Sequence, residues 1–76
     1  LGPPETQMVS ELSLDLKAQG RGIFLSEPDL RTVMQLCDRA SVMKNGQLVG
    51  TVNVNEVTDE DILGMIILGK KTAKAV

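Results

Sequence analysis

Glu27 is the residue of this chain whose type and position best suit chemistry. It follows a short apolar run, Ile23-Phe24-Leu25, whose pattern predicts a strand buried on both faces. In α/β sheets ligands bind beyond the ends of such strands, and Ser26 and Glu27 lie at that end. A carboxylate there could contact a ligand. The alternative is that Glu27 is a helix cap or a solvated surface acid.

Two other groups of reactive side chains have simpler explanations. Glu56, Asp59, Glu60 and Asp61 cluster just before an apolar run. Their spacing does not follow an EF-hand loop, and carboxylates in the first turn of a helix offset the positive end of its dipole, which favours capping over metal coordination. Cys37 falls on an apolar helical stripe, which favours a small core residue over a reactive thiol.

The composition excludes several classes of site. The 76 residues include no His, which excludes His-based triads, imidazole bases and most zinc sites. No GxxxxGK[ST] phosphate loop occurs, and Gly20-Arg21-Gly22 precedes the predicted strand, whereas a phosphate cradle follows one. We therefore predict no catalytic, cofactor-binding or metal-binding residue in this segment. Ser26 and Glu27 are the only candidate site residues.

Charge and hydropathy restrict the partners and the compartment. Eight basic and ten acidic residues give a net charge of −2, without a basic stripe, so we expect no nucleic-acid partner. A single cysteine cannot form an internal disulfide, which favours a reducing cytoplasm. No apolar run approaches the ~20 residues that span a bilayer, and the start lacks a signal-peptide pattern, so we expect a soluble chain.

The first half of the chain predicts two helices with a strand between them. Residues 5–18 follow a helical period, although three leucines also alternate as in a strand; the Gly20 that follows favours the helix. Residues 1–4 include Pro3-Pro4, which we expect to be non-helical and flexible. Pro28 suits the first position of a second helix, which would place Glu27 at the helix cap. The apolar stripe predicts that this helix ends near residue 38.

The second half predicts a hairpin and a helix. Strands at residues 40–43 and 47–54 are separated by Lys44-Asn45-Gly46, and Asn-Gly is the strongest short hairpin signal. Thr58 and Asp61 have the spacing of a capping box. Gly69 ends this last helix, and the Lys70-Lys71 that follow suit the negative end of its dipole.

The last helix is apolar almost all round over residues 62–68, so it needs cover on more than one face. Burial in a larger core is one explanation, and a docking surface for a neighbouring domain or subunit is the other. Residues 72–76 are expected to form a flexible tail.

These elements predict an α/β fold with three strands and three helices in the order α-β-α-β-β-α. Residues 23–43 can form one βαβ unit with parallel strands, and the hairpin adds an antiparallel edge strand. A strand buried on both faces needs neighbours on each side, so the sheet is expected to be incomplete. Uncovered sheet and helix surface further predicts self-association.

This ordered set of motifs resembles the C-terminal part of an ATP-binding cassette domain, most closely in the ATPase subunits of bacterial sugar importers. The likeness rests on LKAQGRGI at residues 16–23, LCDRASVMKNGQLVGT at 36–51 and EVTDEDILGMIILGKK at 56–71. It covers about residues 12–71, and we assign residues 5–71 to this part of the domain. The resemblance implies a partial layer of the P-loop NTPase type.

For a full-length parent protein, the resemblance implies ATP and Mg²⁺ as cofactors and coupling of ATP hydrolysis to solute uptake. The implied partners are the rest of its own ATPase domain, a second cassette and transmembrane permease subunits, at the cytoplasmic face of the inner membrane. The family's switch is a Ser-His pair after the strand, whereas Ser26-Glu27 stands here, and a carboxylate would repel the γ-phosphate. The segment alone is expected to be catalytically inert. The alternative is a stand-alone interaction module that docks through residues 62–68.

Overall fold

A computed structural model describes residues 2–76 and divides the chain into two compact units, an N-terminal unit (Leu1–Leu36) and a C-terminal unit (Cys37–Val76). Leu1, part of the predicted flexible start, lies outside the described residues. The elements in chain order are α1 (Pro3–Ala18), α2 (Leu30–Leu36), β1 (Arg39–Lys44), β2 (Gln47–Asn53), a short 3-10 helix (Val54–Glu56) and α3 (Asp59–Leu68). Within this part of the chain, no helix has both the length and the hydropathy to cross a membrane.

Helix α1 begins earlier than the sequence predicts. Gly2 is its N-cap, and Pro3 and Pro4 occupy its first turn, so the expectation that they are non-helical is wrong. The N–H groups of a first turn have no intrahelical partner, so proline loses no hydrogen bond there and its fixed φ suits the helix. The helix ends at Ala18, and Gly20 follows with a φ of 82°.

The predicted strand at residues 23–25 does not form, and the βαβ unit is therefore wrong as well. In the described part of the chain, β1 and β2 form the only sheet, and residues 21–29 are irregular. Phe24 is 96% exposed. A central strand is stable only when neighbouring strands pair with its backbone and cover both its faces, and no described strand does this for residues 23–25. The observed fold is α/β, with three helices and a two-stranded antiparallel sheet.

The start of α2 also differs from the prediction, because Asp29 and not Glu27 occupies the cap. Asp29 Oδ1 accepts a hydrogen bond from the Arg31 amide at 3.0 Å, and its carbonyl accepts one from Val33 at 3.3 Å. Asp is among the preferred N-cap residues because its short side chain reaches the free amides of the first turn. Pro28 consequently precedes the helix, and Cys37 lies half-buried just beyond its end.

The C-terminal unit contains the predicted hairpin. Its turn residues Asn45 and Gly46 both have positive φ, 51° and 76°, as a tight two-residue hairpin turn requires. The strands pair antiparallel with Val42 opposite Gly50, and a bulge follows Val42. The prediction of this hairpin is confirmed to within a residue or two at each end.

The apolar core of the described chain lies where α3 packs on the hairpin. Five apolar side chains are buried there: Val42, Val52, Val54, Ile62 and Met65. Gly50 lets this packing be close, since a Cβ added to it would lie 3.0 Å from Met65 Cε, and the Met65 side chain would have to shift by a few tenths of an ångström. The alternation of buried residues along β2 and the i, i+3 spacing on α3 bring the two apolar faces together.

The tail at residues 72–76 lies along β2 in this structure. The Val76 amide donates a hydrogen bond to the Thr51 carbonyl at 2.7 Å, and Lys74 Nζ lies 2.9 Å from Asp61 Oδ2. The flexibility expected of this tail, like that of residues 1–4, stays a prediction.

Candidate functional site

The candidate site residues Ser26 and Glu27 lie in the irregular segment before α2. Ser26 is exposed and Glu27 is half-buried. Glu27 Oε1 accepts a hydrogen bond from the Asp29 amide at 3.1 Å, which ties the carboxylate to the backbone just ahead of the helix. The structure thus gives Glu27 a local structural contact two residues before the cap position, which the sequence predicts for Glu27 itself and which Asp29 occupies.

Two residues after Glu27 in sequence, Asp29 forms an ion pair with Arg31. Asp29 Oδ2 lies 3.4 Å from Arg31 Nη2, in an ion pair whose side chains are largely exposed. The side-chain hydrogen bond from Arg31, followed by the bond from its backbone amide, holds the pKa of Asp29 below its ordinary value. Glu27 and Asp29 lie two residues apart in sequence, so both carboxylates would repel a phosphate group placed beside Glu27.

Within the acidic cluster, Asp61 helps to cap α3, as the sequence predicts, and Asp59 and Glu60 lie in the same first turn. Asp61 Oδ2 accepts from the Thr58 amide at 2.9 Å, and Thr58 Oγ1 accepts from the Asp61 amide at 3.2 Å. The bond from the Thr58 amide, followed by that from Lys74, lowers the pKa of Asp61. Within residues 2–76, no three His, Cys, Asp or Glu side chains are grouped closely enough to hold a metal ion.

Lys44 is a structural residue that the sequence analysis missed. Its Nζ donates hydrogen bonds to the carbonyls of Ile66 at 2.8 Å and Ile67 at 2.9 Å, at the negative end of the α3 dipole. Gly69 closes the same helix end with a φ of 67°, as predicted. Because Lys44 is 22 residues from Ile66 in sequence, only the packing of α3 on the hairpin reveals the contact.

The apolar helix predicted over residues 62–68 is covered on one side only. Ile62 and Met65 are buried against the hairpin. Four other apolar residues remain in contact with solvent, with exposed fractions of 43% for Leu63, 42% for Ile66, 69% for Ile67 and 68% for Leu68. This surface is the largest concentration of exposed apolar side chains on any one described element, and it fits the predicted need for further cover.

Comparison with known proteins gives a consistent group of relatives. The chain is 29% identical over 75 residues to the ribose import ATP-binding protein of Hahella chejuensis, across 99% of the chain and 15% of that protein. It is 33% identical over 67 residues to the ribose import ATP-binding protein of Clostridium tetani, across 88% of the chain and 13% of that protein. It is also 35% identical over 57 residues to the fluoroquinolones export ATP-binding protein of Mycobacterium tuberculosis, across 75% of the chain and 19% of that protein.

Two further comparisons find no relative. No protein-family model matches the chain. No solved structure matches it either. The curated relatives are all much longer than this chain, which spans about one seventh of the ribose import proteins it matches. The resemblance predicted from the sequence is confirmed: the chain is related in sequence to the ATP-binding proteins of ATP-binding cassette sugar importers, and it corresponds to a short segment of them.

Proposed function

We propose that this chain is the C-terminal portion of the ATP-binding subunit of a sugar importer, which in the full protein couples ATP binding and hydrolysis to solute uptake. The observation that carries the proposal is the similarity of almost the whole chain to ribose import ATP-binding proteins. The ordered motifs at residues 16–23, 36–51 and 56–71 support it. A layer of the P-loop NTPase type in the parent protein is part of this proposal.

The segment alone is catalytically inert. It contains no phosphate loop and no His. The carboxylates of Glu27 and Asp29 would also repel a phosphate group bound just before α2. ATP and Mg²⁺ belong to the full-length parent, whose other segments bind them.

Nucleotide binding tests whether the ATP-binding residues lie outside this segment. We expect isothermal titration of the 76-residue chain with Mg-ATP to give a Kd no tighter than about 1 mM, because backbone and Lys groups that cradle phosphates are absent. A longer protein that continues upstream in the same reading frame should contain a phosphate loop and bind ATP far more tightly. Saturable micromolar binding by the short chain, or an upstream frame without a phosphate loop, contradicts the proposal.

Ser26 and Glu27 stand at the switch position in this proposal. In the longer protein, Glu27→His should raise the rate of ATP hydrolysis, because an imidazole can contact the γ-phosphate where a carboxylate repels it. Asp29→His is the matched control, since it places a His two residues further along at the α2 cap. If the two variants change the rate of ATP hydrolysis equally, Glu27 does not occupy the switch position.

The partners in this proposal are the rest of the same ATPase domain, a second cassette and the transmembrane permease subunits. The location is cytoplasmic, peripheral on the inner membrane face through the permease. Supporting this, the names of the relatives describe import and export ATP-binding proteins.

A second candidate function is a stand-alone interaction module that docks through residues 62–68. The exposed Leu63, Ile66, Ile67 and Leu68 favour it. A start codon at residue 1 in the gene would support the interaction module. A phosphate loop encoded upstream in the same reading frame would support the ATP-binding subunit.

A further inference from the structure

Helix α3 carries a defined stripe on the side away from the core. Glu60, Leu63, Gly64 and Ile67 recur at i, i+3, i+4 and i+7, so they share one face of the helix. Leu63 is 43% and Ile67 is 69% exposed, whereas Ile62 and Met65 on the other side are buried. We call these four residues the exposed stripe.

Gly64 in the centre of this stripe has no explanation within the described chain. Glycine weakens a helix relative to alanine because it loses more backbone freedom on folding. A Cβ added at Gly64 would meet nothing within 4 Å, so no described neighbour requires its absence. A bare backbone between Leu63 and Ile67 is what a second helix needs to approach closely.

The charges at the start of α3 and just beyond its end are opposite. Asp59 and Glu60 lie in the first turn of α3, and Lys70 follows its C-terminal Gly69. All three charged residues are exposed. When two copies of this helix pair antiparallel, the acidic end of each copy meets the basic end of the other, and the two helix dipoles also oppose each other. A parallel pair would place like charges together.

We propose that this chain pairs with a second copy of itself through α3, in an antiparallel, two-fold symmetric arrangement. Leu63 and Ile67 of each copy pack across Gly64 of the other, and Glu60 of each copy faces Lys70 of the other. Acidic residues in the first turn of α3 and Lys70 just beyond its end flank the apolar residues of the exposed stripe. This order argues for a second copy, because an isologous interface must match itself. The proposal concerns α3 alone and does not rest on nucleotide binding.

Sedimentation equilibrium of the 76-residue chain tests the pairing. We expect a reversible monomer–dimer equilibrium, and Ile67→Gln should weaken the dimer about tenfold or more because it places an amide in the apolar centre of the interface. Leu68→Gln is the matched control. Leu68 is as exposed as Ile67, at 68% against 69%, but it lies about 100° further round the helix, so its replacement should change the dimer constant less than about twofold.

Charge exchange tests the antiparallel orientation. Glu60→Lys and Lys70→Glu should each weaken the homodimer, because each variant places like charges at both ends of the interface. An equimolar mixture of the two variants should associate about as well as the original chain, since both contacts are then between opposite charges.

Gly64→Ala tests the close approach. It should raise the helical content of the monomer and weaken the dimer at the same time, whereas a merely structural role would move both in the same direction.

Three results would overturn the proposal. The first is that the protein stays monomeric at every concentration, either as the 76-residue chain or as a longer protein whose other residues cover the exposed stripe. The second is equal weakening by Ile67→Gln and Leu68→Gln, which indicates unspecific apolar association. The third is a charge-exchanged mixture that associates no better than its components. ATP binding by the longer protein is a separate readout, so failure here leaves the proposed transporter function standing.

Discussion

The two units of this chain differ in where their apolar side chains lie. The C-terminal unit holds all five buried apolar residues, in the layer between α3 and the hairpin. In the N-terminal unit the buried side chain is that of Thr32, and Met8, Leu12 and Phe24 are exposed. Local pairing of strand, strand and helix is enough to build a small core. The two helices and the irregular segment of the N-terminal unit cannot bury their apolar residues without further layers.

The largest effect is expected in the core of the C-terminal unit. Met65 is 1% exposed, and Met65→Ala should lower the free energy of unfolding by about 2–5 kcal/mol, because it leaves a cavity in addition to removing buried apolar surface. Urea denaturation followed by circular dichroism measures the loss. Leu68→Ala on the same helix is the control, and an equal loss for both variants would mean that α3 has no distinct buried side.

A smaller effect is expected where the backbone of α3 ends. Gly69→Ala should cost about 1–2 kcal/mol of unfolding free energy, since Gly69 has a φ of 67° and side chains disfavour the left-handed region. The new Cβ would also lie 3.1 Å from Lys44 Cδ. Gly64→Ala, within the same helix, should have the opposite sign in the monomer. Thermal unfolding at low concentration compares the two, and destabilisation by both would argue against the assigned helix end.

Acid should weaken the C-terminal unit through its capping box. The pKa of Asp61 is lowered in the folded chain, so its contribution to stability is present above the ordinary pKa of Asp, about 4, and is lost as the pH falls through the lower folded value. Asp61→Asn should therefore flatten the dependence of unfolding on pH below about 4. Asp59→Asn removes a charge from the same turn and keeps the capping box, so it should leave more of that dependence in place.

The smallest effect is expected in the N-terminal unit. Phe24→Ser should change the free energy of unfolding by less than about 0.5 kcal/mol, because the ring is 96% exposed and loses no buried contact. The same denaturation experiment measures it. A loss as large as that of Met65→Ala would mean that residues 23–25 are covered in solution and that the two units differ less than their burial indicates.

Structural features that depend on neighbouring residues in the sequence are predicted correctly. The Asn45-Gly46 turn, the Thr58 and Asp61 capping box and the Gly69 helix end depend on residues within a few positions of one another, and all three are confirmed. The strand at residues 23–25 failed because a strand depends on neighbours that this segment does not contain.

Other errors concern competition between nearby residues. Glu27 and Asp29 can both cap a helix, and the shorter Asp29 does so. Pro3 and Pro4 begin α1 because a first turn tolerates proline. For the candidate site, the sequence alone identifies Ser26 and Glu27 as the residues that precede α2. The hydrogen bond that the Asp29 amide donates to Glu27 can be recognised only from the backbone geometry.

The contact of Lys44 with the end of α3 has a consequence for folding kinetics. The turn beside Lys44 closes the hairpin between adjacent strands, which is a fast event, whereas the bond from Lys44 to the Ile66 carbonyl joins positions 22 residues apart and requires a larger loop to close. The hairpin can therefore form before the helix end is fixed. Lys44→Met should leave the folding rate nearly unchanged and speed unfolding, because the contact of Lys44 with α3 forms after the transition state for folding.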